Sequence, residues 1–304
     1  MSQFKSSNLN TWYNKGQTSN LDCRLGSFEV FWIDEPAQTK DDEEKETILL
    51  IHGFPTSSYD FDGVWKQLNK HYRLVTLDML GFGFSDKPNH RKYTIHQQAD
   101  LFESLIKELN LGSFHVVAHD YGVSVAQELL ARQLDGNGEG KWLSCLFLNG
   151  GLFPETHRAL LIQKLMLSPL GKVINSLTGL SAFSKSFSSV FGEATKPTNQ
   201  ELADFWEVIC YKQGRHLFHN LITYILDRRE HRERWLTALR NSTVPLALVN
   251  GSVDPVSGAH LVTRYKELNC RLDYLIELPT IGHYPQVEAP NEVANSILEF
   301  LSQV

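Results

Sequence analysis

The sequence predicts an α/β protein: a mostly parallel central sheet with helices on both faces and an inserted helical cap. Three observations carry this. Short, unbroken apolar runs alternate with amphipathic segments, as in a sheet buried on both faces. Glycine and proline mark the turns between them. The alternation is interrupted only once, over residues 152–239, where no convincing strand appears and Pro154, Pro169, Gly171, Gly179 and Pro197 break a Leu-, Phe- and Ser-rich helical stretch.

In chain order, FEVFWI (28–33) reads as a strand and the acidic DDEEKE (41–46) as a solvated turn. TILLI (47–51) is a fully buried strand. RLVTL (73–77) is another, ending in the tight loop DMLGFGFSDKP. Over 94–109, Phe102, Leu105, Ile106 and Leu109 fall on one helical face. Strand FHVVAH (114–119) runs into a helix beginning near Gly122, with Val125, Ala126, Leu129 and Leu130 inward. Strands WLSCLFLN (142–149), VPLALVN (244–250) and LDYLIEL (272–278) complete the series. The expected organisation is a core of 1–151 and 240–304 with the cap at 152–239.

The formal net charge of -6 offers no electrostatic footprint for nucleic acid. Cys23, Cys145, Cys210 and Cys270 lie far apart, with neither metal-ligand spacing nor the density of a disulfide scaffold. The opening residues, MSQFKSSNLNTWYNKGQ, lack the apolar core of a signal peptide, and no apolar run approaches the roughly 20 residues of a membrane span. The expectation is a cytoplasmic monomer or homodimer without cofactor, metal or membrane partner, acting on a small apolar organic substrate and water.

The chemistry gathers where strands end. In G-x-S-x-G a nucleophile sits on a strained turn between strand and helix. The equivalent turn here is Ala118-His119-Asp120-Tyr121-Gly122, which puts a carboxylate at the nucleophile position. Aspartate is ionised at neutral pH, with a reference pKa of about 3.9, and needs no base to attack. On an ester it would form a mixed anhydride, whereas on a saturated carbon it forms an alkyl ester, so epoxides and alkyl halides are the natural electrophiles. Hydrolysing that ester needs a histidine held by an acid: His283 in IGHYPQVEAP and Asp254 in NGSVDPV each follow a strand. Charge on the ester oxygen calls for donors. The N–H of Tyr121 is one, and the HGFP turn supplies the other from Phe54.

The rival readings are plainer. Asp120 can cap a helix, Asp254 can form a turn before Pro255, and RREHRER (228–234) reads as a solvated helix face, with a docking patch as the alternative. Ser124 lies a turn inside its helix, away from the elbow. His52 and His119 flank the site as backbone orienters, with His52 also a candidate substrate contact. A ligand-binding protein that keeps the triad without turnover is the non-enzymatic alternative.

HGFPTSSYDF, LGFGFSDKP, HDYGVSVAQELL, NGGLFPETHR and HYPQVEAP resemble the α/β-hydrolase superfamily in its aspartate-nucleophile branch, and closely the mesoderm-specific transcript family, described as epoxide-hydrolase-like. The resemblance covers essentially the whole chain and implies an α/β-hydrolase fold and epoxide hydrolysis, with haloalkane dehalogenation as the alternative. Haloalkane dehalogenases commonly bind halide with Trp after the nucleophile and a side-chain donor after His-Gly; Tyr121 and Phe54 stand there. The arginines that fluoroacetate dehalogenases carry beside the nucleophile are missing from the motif. Epoxide hydrolases use cap tyrosines as acids. By that resemblance Tyr224 takes the second such position, and Tyr211, a poorer match, is a substrate-binding candidate.

Overall fold

Thr47–Ile51 is buried at all five positions and pairs on both sides, which makes it a central strand. The computed structural model describes residues 3–38, 45–89, 92–158, 161–168 and 170–304. The greater part of the acidic turn, 41–44, and the break at Pro169 lie outside them. Eight strands are found among the described residues: β1 (Gln17–Cys23), β2 (Gly26–Glu35), β3 (Thr47–Ile51), β4 (Arg73–Leu77), β5 (Ser113–Ala118), β6 (Lys141–Phe147), β7 (Leu246–Gly251) and β8 (Tyr274–Leu278). Their spatial order is β1, β2, β4, β3, β5, β6, β7, β8. From β4 to β8 neighbours run parallel, while β1 and β2 form an antiparallel edge.

Side-chain alternation sorts the core into two layers. Ile48 and Leu50 of β3, Val117 of β5, and Ala247 and Val249 of β7 enter one apolar cluster; Leu49, Ile51, Val116, Ala118, Leu246 and Leu248 enter the other. The helices are α1 (Ser7–Lys15), α2 (Asp62–Leu68), α3 (Ile95–Glu108) and α4 (Tyr121–Leu134), then α5 (Leu161–Met166), α6 (Gly171–Leu177), α7 (Leu180–Ser188), α8 (Asn199–Cys210), α9 (Phe218–Leu221), α10 (Tyr224–Glu230) and α11 (Arg232–Arg240), then α12 (Ala259–Glu267), α13 (Pro285–Glu288) and α14 (Pro290–Leu301). The first layer takes Leu9 and Trp12 of α1, Trp65 of α2, and Ile297 and Phe300 of α14. The second takes the apolar faces of α3, α4, α11 and α12. Each such Leu, Ile or Phe removed from water contributes on the order of 1.5–3 kcal/mol.

The described residues between β6 and β7 contain no strand. The last helix of that stretch, α11, returns to the sheet layer: Trp235 Nε1 and Arg234 Nε both donate to Glu128 Oε2 of α4 at 2.9 Å. Two elements escape the hydrophobic pattern. Strand β1 buries Leu21 alone, and α1 buries Leu9 and Trp12, too few apolar positions to show a period. Strand β8 is partly exposed along its length, as expected of a strand paired on one side only.

Candidate active site

The parallel strands all end on one side of the sheet, and the loops after β3, β5, β7 and β8 converge there. Asp120 lies between β5 and α4 with φ 44° and ψ -102°, a conformation that costs a non-glycine residue about 1–3 kcal/mol. Its surroundings hold it: the Asp120 N–H donates to the Asn149 carbonyl at 2.8 Å, and the Gly122 N–H donates to the His119 carbonyl at 2.7 Å. A Cβ on Gly122 would lie 2.4 Å from the Ile51 carbonyl oxygen, and one on Gly53 would lie 2.6 Å from His119 Nδ1. Both loops therefore require glycine to come this close. The Asp120 side chain makes no helix-capping hydrogen bond.

The carboxylate points elsewhere. Oδ2 accepts the Phe54 N–H at 3.0 Å. Oδ1 lies 3.6 Å from His283 Nε2, and His283 Nδ1 donates to Asp254 Oδ2 at 2.7 Å. Asp254 is fixed in turn by Ser257 Oγ at 2.6 Å, Asn149 Nδ2 at 3.0 Å and the Val256 N–H at 2.7 Å. The loops after three strands thus deliver nucleophile position, histidine and acid to one chain of contacts.

A cation approaches the same carboxylate from α10. Arg228, 1% exposed, donates from Nη2 to the Asp120 carbonyl at 2.9 Å and from Nε to Ser124 Oγ at 2.7 Å. Nη2 lies 3.7 Å from Asp120 Oδ1, and the guanidinium lies 4.5 Å from the centre of the Tyr224 ring. RREHRER is therefore not a uniformly solvated face. Arg228 is buried beneath the elbow, while Arg232 pairs with Glu155, and Arg234 with Glu128. Arg228 is not part of the cavity lining.

These contacts set the charges. Burial alone would raise the Asp120 carboxyl, but His283, through hydrogen bonding and charge, and then Arg228 outweigh it and hold the carboxyl below the usual range. Burial disfavours the His283 imidazolium, yet the Asp254 charge and the contacts with Asp120 raise it to about 10. Asp120 and His283 therefore rest as a carboxylate–imidazolium pair at neutral pH. His119 and His157 are lowered to about 4, chiefly by burial, and are neutral there.

The family model described as alpha/beta hydrolase fold matches residues 46–136. Mesoderm-specific transcript protein of Mus musculus is 39% identical over 264 residues, covering 84% of this chain and 79% of its own. The protein named putative hydrolase LipZ of Mycobacterium tuberculosis (strain ATCC 25618 / H37Rv) is 40% identical over 255 residues, covering 84% and 88%. The chain belongs to the mesoderm-specific transcript family of α/β hydrolases. A haloalkane dehalogenase of Bradyrhizobium elkani superposes with a TM-score of 0.76 at 20% identity over 95% of this chain and 98% of its own. A thermophilic esterase of Thermogutta terrifontis superposes with 0.76 at 17% over 94% and 98%. At those identities the likeness shows the fold alone.

In this α/β hydrolase a cavity of about 140 Å³ opens on Asp120 and His283, a size that takes a benzene-sized ligand. Its walls are mainly apolar, with Phe54, Met166, Phe187, Phe218, Ile222 and Val256 among them. Tyr224 is not part of the lining. It is 1% exposed, its ring 4.6 Å from that of Tyr121 and 6.0 Å from that of Phe54, and burial followed by the Asp120 charge raises its phenol, making it a weaker acid.

Two substrate-binding expectations need correcting. Tyr211 packs on Phe4 and Phe84, and its hydroxyl accepts a hydrogen bond from Gln3 Nε2; the N-terminal segment holds it away from the cavity. His52 is fully buried and serves the backbone: its Nε2 accepts the Met79 N–H at 3.0 Å, and its Nδ1 lies 2.9 Å from the Gly53 carbonyl oxygen.

Two residues went unassigned in the sequence. Tyr284 lines the cavity and donates from its hydroxyl to the Phe54 carbonyl at 2.9 Å, bracing the loop that carries the Phe54 N–H. Its position beside His283 was the available signal. His157 is half-buried within range of the Asp120, His283 and Arg228 charges, and its two ring nitrogens are buried without a hydrogen-bond partner among the described residues. No sequence pattern marks it.

Proposed function

We propose that this hydrolase attacks a small apolar electrophile at a saturated carbon through an Asp120 alkyl ester, and that its substrates are epoxides. The observation that carries the reading is the division of labour within one carboxylate. Oδ2 is held by the Phe54 N–H, while Oδ1 lies beside His283, which lines the cavity together with Asp120. Oδ1 is then the attacking atom, and Oδ2 becomes the ester carbonyl oxygen, already facing a donor for the charge that develops when water attacks. The Tyr121 N–H is the second donor. Residues of the 152–239 segment form much of the cavity wall, which supports its role as a lid that excludes water.

The resting charges order the two half-reactions. Alkylation consumes the Asp120 charge, removing one of the contacts that raise His283. The imidazolium can then give its proton to the alkoxide oxygen of the opened epoxide, leaving a hydroxyalkyl ester, and neutral His283, oriented by Asp254, takes a proton from the hydrolytic water. Ester hydrolysis is expected to accelerate with rising pH as His283 deprotonates, while alkylation stays flat across neutral pH.

Dehalogenation is the second reading. A halide leaves without a proton, and the displacement of Tyr224 from the cavity favours it; the absence of a side-chain halide donor at Phe54 counts against it. His283→Gln separates the two. Incubated with epoxides and haloalkanes, it should trap the ester for mass spectrometry, as a hydroxyalkyl adduct on Asp120 from an epoxide or a simple alkyl adduct from a halide. Labelling at another residue, or no labelling of the folded protein by any panel member, would reject the Asp120 mechanism.

A further inference from the structure

Residues 156–192 contain no Asp or Glu and four basic residues, Arg158, Lys164, Lys172 and Lys185, a formal charge of 4 − 0 = +4 in a chain of net -6. All four are exposed. The same stretch carries six of the ten large apolar residues that stand exposed among the described residues. Leu161 is 73% exposed, Leu170 62%, Val173 58% and Leu177 79%, with Leu165 and Leu180 less so. They are ordered along the helices. Leu161 and Leu165 are one turn apart on α5, while Val173 and Leu177 are one turn apart on α6, directly after Leu170. On the inward side, Ile162, Met166, Phe183 and Phe187 line the cavity, with Gln163, Thr178 and Ser186 among them.

We propose that the outer face of α5, α6 and α7 docks on an anionic lipid bilayer, from which lipophilic substrate passes into the cavity. Leucines interspersed with lysines, in a stretch of sequence without carboxylates, match an acyl boundary beneath anionic headgroups. No helix among the described residues is long and apolar enough to cross a membrane, so the contact is peripheral. A second copy of the chain is a poor occupant, because a two-fold contact would set the three lysines of one face, Lys164, Lys172 and Lys185, against those of another. This departs from the expectation of no membrane partner, and docking is independent of the chemistry at Asp120.

The test is co-sedimentation with phosphatidylcholine vesicles containing or lacking phosphatidylserine. Wild type should sediment with the phosphatidylserine vesicles and release with salt. The triple variant Lys164→Glu, Lys172→Glu, Lys185→Glu should weaken that binding roughly a hundredfold, about fivefold for each lysine. A second triple variant, Leu161→Ser, Val173→Ser, Leu177→Ser, should weaken it at least about tenfold. None of these side chains lines the cavity, and circular dichroism checks that both variants fold. No binding to phosphatidylserine vesicles, or equal binding by folded variants, would overturn the proposal. So would ultracentrifugation showing a wild-type dimer that the leucine variant dissolves.

Discussion

The loops at the sheet edge and the helices that wall the cavity make opposite use of their side chains. At the edge, Asp254 accepts from His283, Ser257, Asn149 and the Val256 backbone, all in buried bonds. Along α5 to α7 the side chains turned into the cavity are largely apolar, and those turned to solvent include leucines, Val173 and lysines. Directional bonds over-determine the position of the reacting groups, whereas dispersion and burial set only the shape and size of the cavity. Substitutions at the edge should therefore change rate, and substitutions in the wall should change substrate choice.

The sharpest break of that contrast is Asp120→Ala, expected to lower turnover of any substrate that labels His283→Gln by at least about 10³-fold with the fold intact. Steady-state kinetics and circular dichroism check it together. Arg228→Met should come next, with alkylation lowered about 10-fold at acid pH, where Asp120 titrates, and little changed at neutral pH. The Asp120 carboxyl is held below its ordinary value in part by this guanidinium, and alkylation needs it ionised. Removing the cation raises that carboxyl, so the acid limb of the alkylation profile, read as adduct formation in the His283→Gln background, should move to higher pH. Arg228→Lys should move it part-way back. An unshifted limb would mean that Arg228 only packs. The variant should also lose about 1–3 kcal/mol of stability, because the Asp120 carbonyl loses its donor.

A wall change should behave differently. Phe187→Ala enlarges the cavity and is expected to shift relative kcat/KM between small and bulky substrates by about tenfold, while the adduct still forms on Asp120. The smallest effect is expected for Tyr284→Phe. It removes one hydrogen bond to the Phe54 carbonyl, worth about 0.5–1.5 kcal/mol, and should slow ester hydrolysis by a few-fold with alkylation unchanged. Single-turnover measurements of each half-reaction resolve it.

Much of the fold could be read locally because buried strands and glycine turns are local events. TILLI is apolar at four of its five positions, and the elbow at Asp120 announces itself by a strand, a turn and the Gly122 that lets the helix start against Ile51. Strand β1 and helix α1 bury too few side chains for periodicity to register. Arg228 was misread for another reason. It lies in a run of charges, and the groups that bury it, Ser124 and Asp120, are 104 and 108 residues away along the chain. Tyr211 failed the same way, because its ring partners include Phe4 and Phe84.

Taken alone, the sequence determined the α/β-hydrolase architecture, the strained turn and the order of carboxylate, acid and histidine, since each depends on neighbours within a few residues. Tertiary structure decided that Asp120 Oδ2 meets the Phe54 N–H, that Arg228 lies beneath the elbow, and that Tyr224 and Tyr211 are kept from the cavity. Those outcomes depend on strand order and on how the 152–239 helices pack over the sheet. Burial and charge act through space, at distances that position along a chain does not encode.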